Sequence, residues 1–167
     1  MNKTHSITEV SMRASPTPVG SSRLLATIAL VALAGAACAA AKPAGGTVDV
    51  GLQEWAVVPA QTSVNAGPVT FKVNNTGPDD PHELVIIRTD LAPGKLPTDA
   101  FGKVDEAGAG IEMIGEVESF DPGKTETGTF DLKAGTYVLI CNILQDEPDG
   151  SKESHYRMGM FTAFTVK

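Results

Sequence analysis

The stretch Gly135–Lys167, GTYVLICNILQDEPDGSKESHYRMGMFTAFTVK, decides how the rest of the chain is read. It opens on a short apolar run, Tyr137-Val-Leu-Ile-Cys141, of the residue types that suit a pleated, half-buried surface. It closes on Phe161-Thr-Ala-Phe-Thr-Val-Lys167, where Met160, Thr162, Phe164 and Val166 share the side of a strand expected to be buried. Between the two expected strands a polar segment delivers His155 and Met160. One thiol, one imidazole and one thioether therefore sit on one loop.

A second imidazole would complete a recognisable donor set. The only histidines are His5, His82 and His155, and the only cysteines are Cys38 and Cys141. His5 and Cys38 fall in a leader described below, which leaves His82, His155 and Cys141 for the folded part. Taken singly, a Cys at a strand end reads as a small buried hydrophobe and a lone His as a hydrogen-bonded core or surface residue. Together with a methionine they form a trigonal His2Cys set with a weak axial thioether, the donor pattern of copper electron-transfer centres. Such soft donors suit copper better than magnesium, calcium or manganese, which prefer oxygen.

Working outward, the chain of 167 residues predicts one domain behind a leader, with about 125 residues left for a single core. Thirteen Lys and Arg against twenty Asp and Glu give a net charge of −7. Setting aside Lys3, Arg13, Arg23 and Glu9 leaves ten against nineteen, a net charge of −9. That balance excludes nucleic acid as the expected partner and favours solubility or docking to a basic protein.

Arg13 and Arg23 precede the apolar run Leu24–Ala34, which is too short to span a bilayer comfortably and is followed by small residues. Residues 1–41 are therefore read as a signal peptide, with Met1 or Met12 as the start and a short tether to Gly46. Leu33-Ala-Gly-Ala-Ala-Cys38 resembles the bacterial lipoprotein box, although Gly35 stands where a Leu is expected. Lipidation of Cys38, which would anchor the protein to a membrane, and ordinary cleavage near residues 39–41 both remain open. Either one removes Cys38 as a disulfide partner for Cys141. The expected location is exported, periplasmic or on the outer face of a bacterial cytoplasmic membrane.

From Thr47 onward the pattern is β. Val48, Val50 and Leu52 alternate with polar or small residues, and so do Val69, Phe71 and Val73. Asn75-Thr-Gly-Pro-Asp-Asp80 is turn chemistry. His82 opens the strand His82–Arg88 directly after Pro81, a residue tolerated only at a strand start or edge. Residues 89–111 lose the alternation and predict an irregular excursion with at most a short helix, with Thr98 or Asp99 as N-cap and Gly108 as C-cap. Strands resume over Glu112–Phe120 and Thr125–Leu132. The expected fold is an all-β, Greek-key β-sandwich over residues 47–167.

The motifs then fall in a known order. Trp55, Pro59, Val64, Gly67, Val69, Phe71, Val73 and Asn75 (Asn74 being the alternative at the last place), followed by Pro81-His82, Gly135-Thr-Tyr-Val-Leu-Ile-Cys141 and His155-Tyr-Arg-Met-Gly-Met160, resemble the cupredoxin family of blue copper proteins. The resemblance implies one copper ion held by His82, Cys141 and His155, with Met160 axial and Met158 as its rival. It implies single-electron carriage between redox partner proteins by a monomer, with electrons passing through an exposed edge of His155. The chain departs from the family in the thirteen residues between Cys141 and His155, a segment that can fold as a flap beside the metal. No third residue orients a Cys–His nucleophile, so an enzyme is not expected. Copper delivery or storage, and a metal-free interaction domain, are the alternatives.

Overall fold

The computed structural model describes residues 45–167, so the expected leader and its Cys38 lie outside the described residues. In chain order the strands are β1 (Gly46–Gln53), β2 (Ala56–Pro59), β3 (Ser63–Val64), β4 (Gly67–Asn75), β5 (His82–Arg88) and β6 (Glu112–Phe120). They continue as β7 (Thr125–Leu132), β8 (Gly135–Ile140), β9 (Leu144–Asp146), β10 (Lys152–Ser154) and β11 (Phe161–Val166). A single helical turn, α1 (His155–Met158), stands between β10 and β11.

Two sheets form the sandwich, one in the order β2-β1-β4-β7 and the other β3-β11-β8-β5-β6, with β9 and β10 as a separate hairpin. Most pairs are antiparallel, but β1 runs parallel to β4, and β11 parallel to β3. The alternation in β1 and β4 is what the sequence predicts. Val48, Val50, Leu52, Val69, Phe71 and Val73 are buried, while the residues between them face outward or sit at the edge. They meet Leu84, Ile86, Tyr137, Leu139, Phe164 and Val166 of the second sheet, with Phe71 edge-on to Phe164 at 5.6 Å between centroids. Each such side chain contributes about 1.5–3 kcal/mol by leaving water.

The second sheet is buried on both faces at its centre, in β5 and β8. In β5, Leu84, Val85, Ile86 and Ile87 are all inaccessible, and in β8 so are Leu139 and Ile140. The outward members, Val85, Ile87, Val138 and Ile140, lie under Leu96, Val104 and Tyr156. The 89–111 excursion is thus the lid of a second, smaller core. Its only helical element is a 3-10 turn at Pro93–Lys95, not a helix between Asp99 and Gly108. The physical reason is local. Asp99 Oδ1 accepts the backbone N–H groups of Phe101, Gly102 and Lys103, closing a tight turn, and Thr98 bridges Val104.

Candidate metal centre

The candidate ligand residues stand at or just beyond the ends of strands. His82 starts β5, and its position is set by the preceding loop. Asn75, fully buried at the end of β4, donates from Nδ2 to the carbonyls of Asp80 and Phe120 and accepts from Gly77 N–H. Asn74 is exposed, so Asn75 occupies the motif's last place. A register shift separates the His82–Phe120 pair from the Leu84–Val117 pair, the kind of irregularity that re-aims a side chain at a sheet end. Cys141 follows β8 on its inward face, in line with Tyr137 and Leu139.

His155 is the first residue of α1. Ser154 caps this turn, accepting Arg157 N–H at 3.2 Å while donating to Gly102 O, and Gly159 ends it at φ 120°, a conformation disfavoured for residues with a Cβ. The turn brings the chain straight back to the sheet. Cys141 N–H donates to Met160 O, and Met160 N–H to His155 O.

These elements bring three donor atoms to one point. His82 Nδ1 lies 3.2 Å from His155 Nδ1, and Cys141 Sγ lies 3.4 Å from His155 Nδ1 and 3.9 Å from His82 Nδ1. Bonds of about 2.0 Å to nitrogen and about 2.3 Å to sulfur, as in zinc sites, would separate the corners of a trigonal site by roughly 3.5–3.7 Å. The triangle therefore has the size of a first-row metal site, and its soft sulfur and two imidazoles suit copper. All three residues are 0% exposed. Met160 is equally buried and packs in the same core as Cys141, whereas Met158 is 46% exposed.

Burial sets the protonation of this cluster. It pushes the Cys141 thiol up to about 12, against the opposing effect of the Glu83 and Ile143 N–H groups directed at the sulfur. It also lowers His155 to about 4, with the neighbouring His82 adding to the effect. His82 is lowered by burial too, partly offset by Glu54 and Asp80. Two neutral imidazoles and a thiol in this pocket are what a cation would convert into a charged, compensated ligand set, with release of the thiol proton.

One expectation is corrected here. The His155 edge, expected to be exposed, is fully buried. Trp55 stands edge-on to the imidazole at 5.1 Å between centroids, and the β9–β10 hairpin lies alongside. Gln145 of that hairpin donates to Asp80 Oδ1, and oxygens of Asp80 and Glu153 come within 4.8 Å of a His155 ring nitrogen. The thirteen-residue segment does fold as a flap, and it covers the ligand.

The cluster also contains residues that the motifs did not point to. Asn142, 1% exposed, binds Val104 N–H through Oδ1 and donates to Val104 O and Glu106 Oε1, tying the ligand strand to the excursion. Glu83 accepts Asn142 N–H, and burial plus the nearby Glu116 raise its carboxyl to about 7. Both adjoin ligands in sequence, which was the available signal. Glu54, beside His82, had none.

The fold is an all-β sandwich of two mixed sheets, as the strand pattern of the sequence predicts. No family model matches the chain, and no curated protein does. Among solved structures it is similar to reduced auracyanin from Roseiflexus castenholzii, with 23% identity, 75% of this chain and 98% of that one covered, and a TM-score of 0.48. It is also similar to an azurin from Methylomonas sp. strain J (13% identity, 74% and 99% covered, TM-score 0.47). A third likeness is to rusticyanin from Thiobacillus ferrooxidans (21% identity, 72% and 76% covered, TM-score 0.41).

Proposed function

We propose that the protein carries single electrons between redox partners through one copper ion held by His82, Cys141 and His155, with Met160 as the axial ligand. The observation that carries this reading is the fully buried triangle of two Nδ1 atoms and one Sγ, with edges of 3.2–3.9 Å. Bound copper would supply the one-electron couple, Cu(II)/Cu(I). The chain's part is to hold the donors still, so that little rearrangement accompanies a change of charge. Trp55 braces the His155 ring, and the Asn75 network fixes the approach to His82. Burial of Met160, against exposure of Met158, supports Met160 as the thioether.

The acidic hairpin residues Asp146, Glu147, Asp149 and Glu153 beside the site fit a partner with a basic face. The apolar run after Arg23 supports an exported protein, with Cys38 as a lipid anchor or removed with the leader.

The test is Cu(II) titration of the purified protein, followed by optical and electron-paramagnetic spectra, beside Cys141→Ser. The expected result is an intense visible thiolate-to-copper band with narrow hyperfine splitting, absent in the variant. Tight binding with a pale spectrum would point to copper delivery or storage instead. No binding would leave a metal-free sandwich.

A further inference from the structure

We propose that Glu54 is a positioning residue for His82: its carboxylate faces the protonated Nε2 of the imidazole, leaves Nδ1 free for the metal, and favours Cu(II) over Cu(I). This inference rests on the copper reading above.

A neutral imidazole has one N–H, so a histidine that offers Nδ1 to a metal must carry its proton on Nε2. Among the described residues, the polar atom that faces His82 Nε2 is Glu54 Oε1, at 3.5 Å. The nitrogen is buried and makes no hydrogen bond, so the contact is electrostatic at this length. Metal-ligating histidines commonly have a carboxylate or carbonyl in this place, which fixes the ring and its tautomer.

The carboxylate is itself held. Oε1 accepts the Asp80 N–H at 3.0 Å, and Oε2 is buried without a partner of its own. Only 14% of the Glu54 side chain is exposed. Gly77 leaves the space it occupies, because a Cβ there would lie 2.5 Å from Oε2 and 2.6 Å from Oε1. Glu54 belongs to the turn between β1 and β2 of the first sheet, whereas His82 starts β5 and Cys141 follows β8 of the second, and its neighbour Trp55 is the residue against His155. One turn of the first sheet thus touches both imidazoles. A negative charge this close, and this poorly screened, favours the more highly charged metal state.

The alternative is that Glu54 only closes the Asp80 loop. Two measurements on the full chain separate the two roles. In the metal-free protein, imidazole nitrogen resonances are expected to show His82 protonated on Nε2. Glu54→Gln, which keeps an acceptor, preserves that tautomer, and Glu54→Ala mixes it. In the copper-loaded protein, Glu54→Gln is expected to lower Cu(II) affinity tenfold or more while Cu(I) affinity changes little. A tenfold change in that ratio reads as an upward shift of about 59 mV in the one-electron potential. An unchanged Cu(II)/Cu(I) ratio in Glu54→Gln, or an apo His82 protonated on Nδ1, overturns the inference. A wild-type protein that binds no copper overturns the copper reading and the charge effect, while the apo tautomer still decides for or against the Glu54 contact. Should Glu54→Ala fail to fold, the isosteric Gln variant carries both measurements.

Discussion

The two segments outside the main strand pattern, 89–111 and 142–154, are built in opposite ways. The first has one 3-10 turn and one isolated bridge, yet it is pinned at both ends of a small core. Leu96 and Val104 are buried, Tyr156 OH takes Leu96 N–H and donates to Pro93 O, and Asn142 grips Val104 by both backbone groups. The second contains a regular β9–β10 ladder and an Asp146–Lys152 ion pair, yet Asp146 and residues 148–152 are exposed. Regular hydrogen bonding does not decide which segment stabilises the site. Burial does, because the irregular segment shields the outer face of β5 and β8 while the hairpin covers only the edge of one ligand.

The sharpest way to break this contrast is Asn142→Ala. It leaves the buried Val104 N–H and carbonyl unpaired next to the ligand strand, and each such group costs about 1–3 kcal/mol. Urea unfolding of the metal-free protein should show a loss of about 3 kcal/mol; a loss below about 1 kcal/mol would mean the excursion is not pinned here. Tyr156→Phe removes the two hydroxyl contacts to residues 93 and 96 and keeps the ring on Phe161. A loss of about 1–2 kcal/mol is expected by the same measurement.

Glu83 lies under the same lid and makes the contrast depend on pH. Its folded-state value of about 7 is above the ordinary 4.5, so the folded protein keeps a proton that the unfolded chain releases. This contribution is fully present below about pH 4.5 and is lost as pH rises through 7. Glu83→Gln escapes the loss. The variant should be more stable than wild type by about 1 kcal/mol at pH 8, with the gap closing at pH 4.5, in paired denaturant titrations. A gap that widens toward acid would reverse the assigned sign.

The smallest effect on stability is expected from the hairpin. Replacing residues 147–151 with a two-residue Asn-Gly turn keeps the β9–β10 pair and shortens a loop whose closure cost depends weakly on length. Unfolding should move by less than about 0.5 kcal/mol, since exposed substitutions of this kind seldom exceed that. A large loss of stability would show that the hairpin is as structural as the excursion.

The sequence by itself determined the strands and the short list of donors. Alternation in β1 and β4 reports a one-faced sheet directly, because successive side chains of a strand point to opposite faces. With two histidines and one cysteine beyond the expected leader, the candidate ligands left no choice except at the methionine, and there the sequence held Met158 and Met160 open. The unbroken apolar run Leu84–Ile87 also carried a message, since both faces of that strand need cover, but nothing local said that residues 89–111 supply it. Only the tertiary structure decided that His155 is buried, that Asn142 ties two loops together, and that Glu54 reaches His82 from the opposite sheet. Those contacts join residues 28 to 100 positions apart through the packing of one sheet on another, as the pairs Glu54–His82 and Trp55–His155 do. No periodicity or motif encodes such a pair, because its geometry exists only once the sandwich has closed.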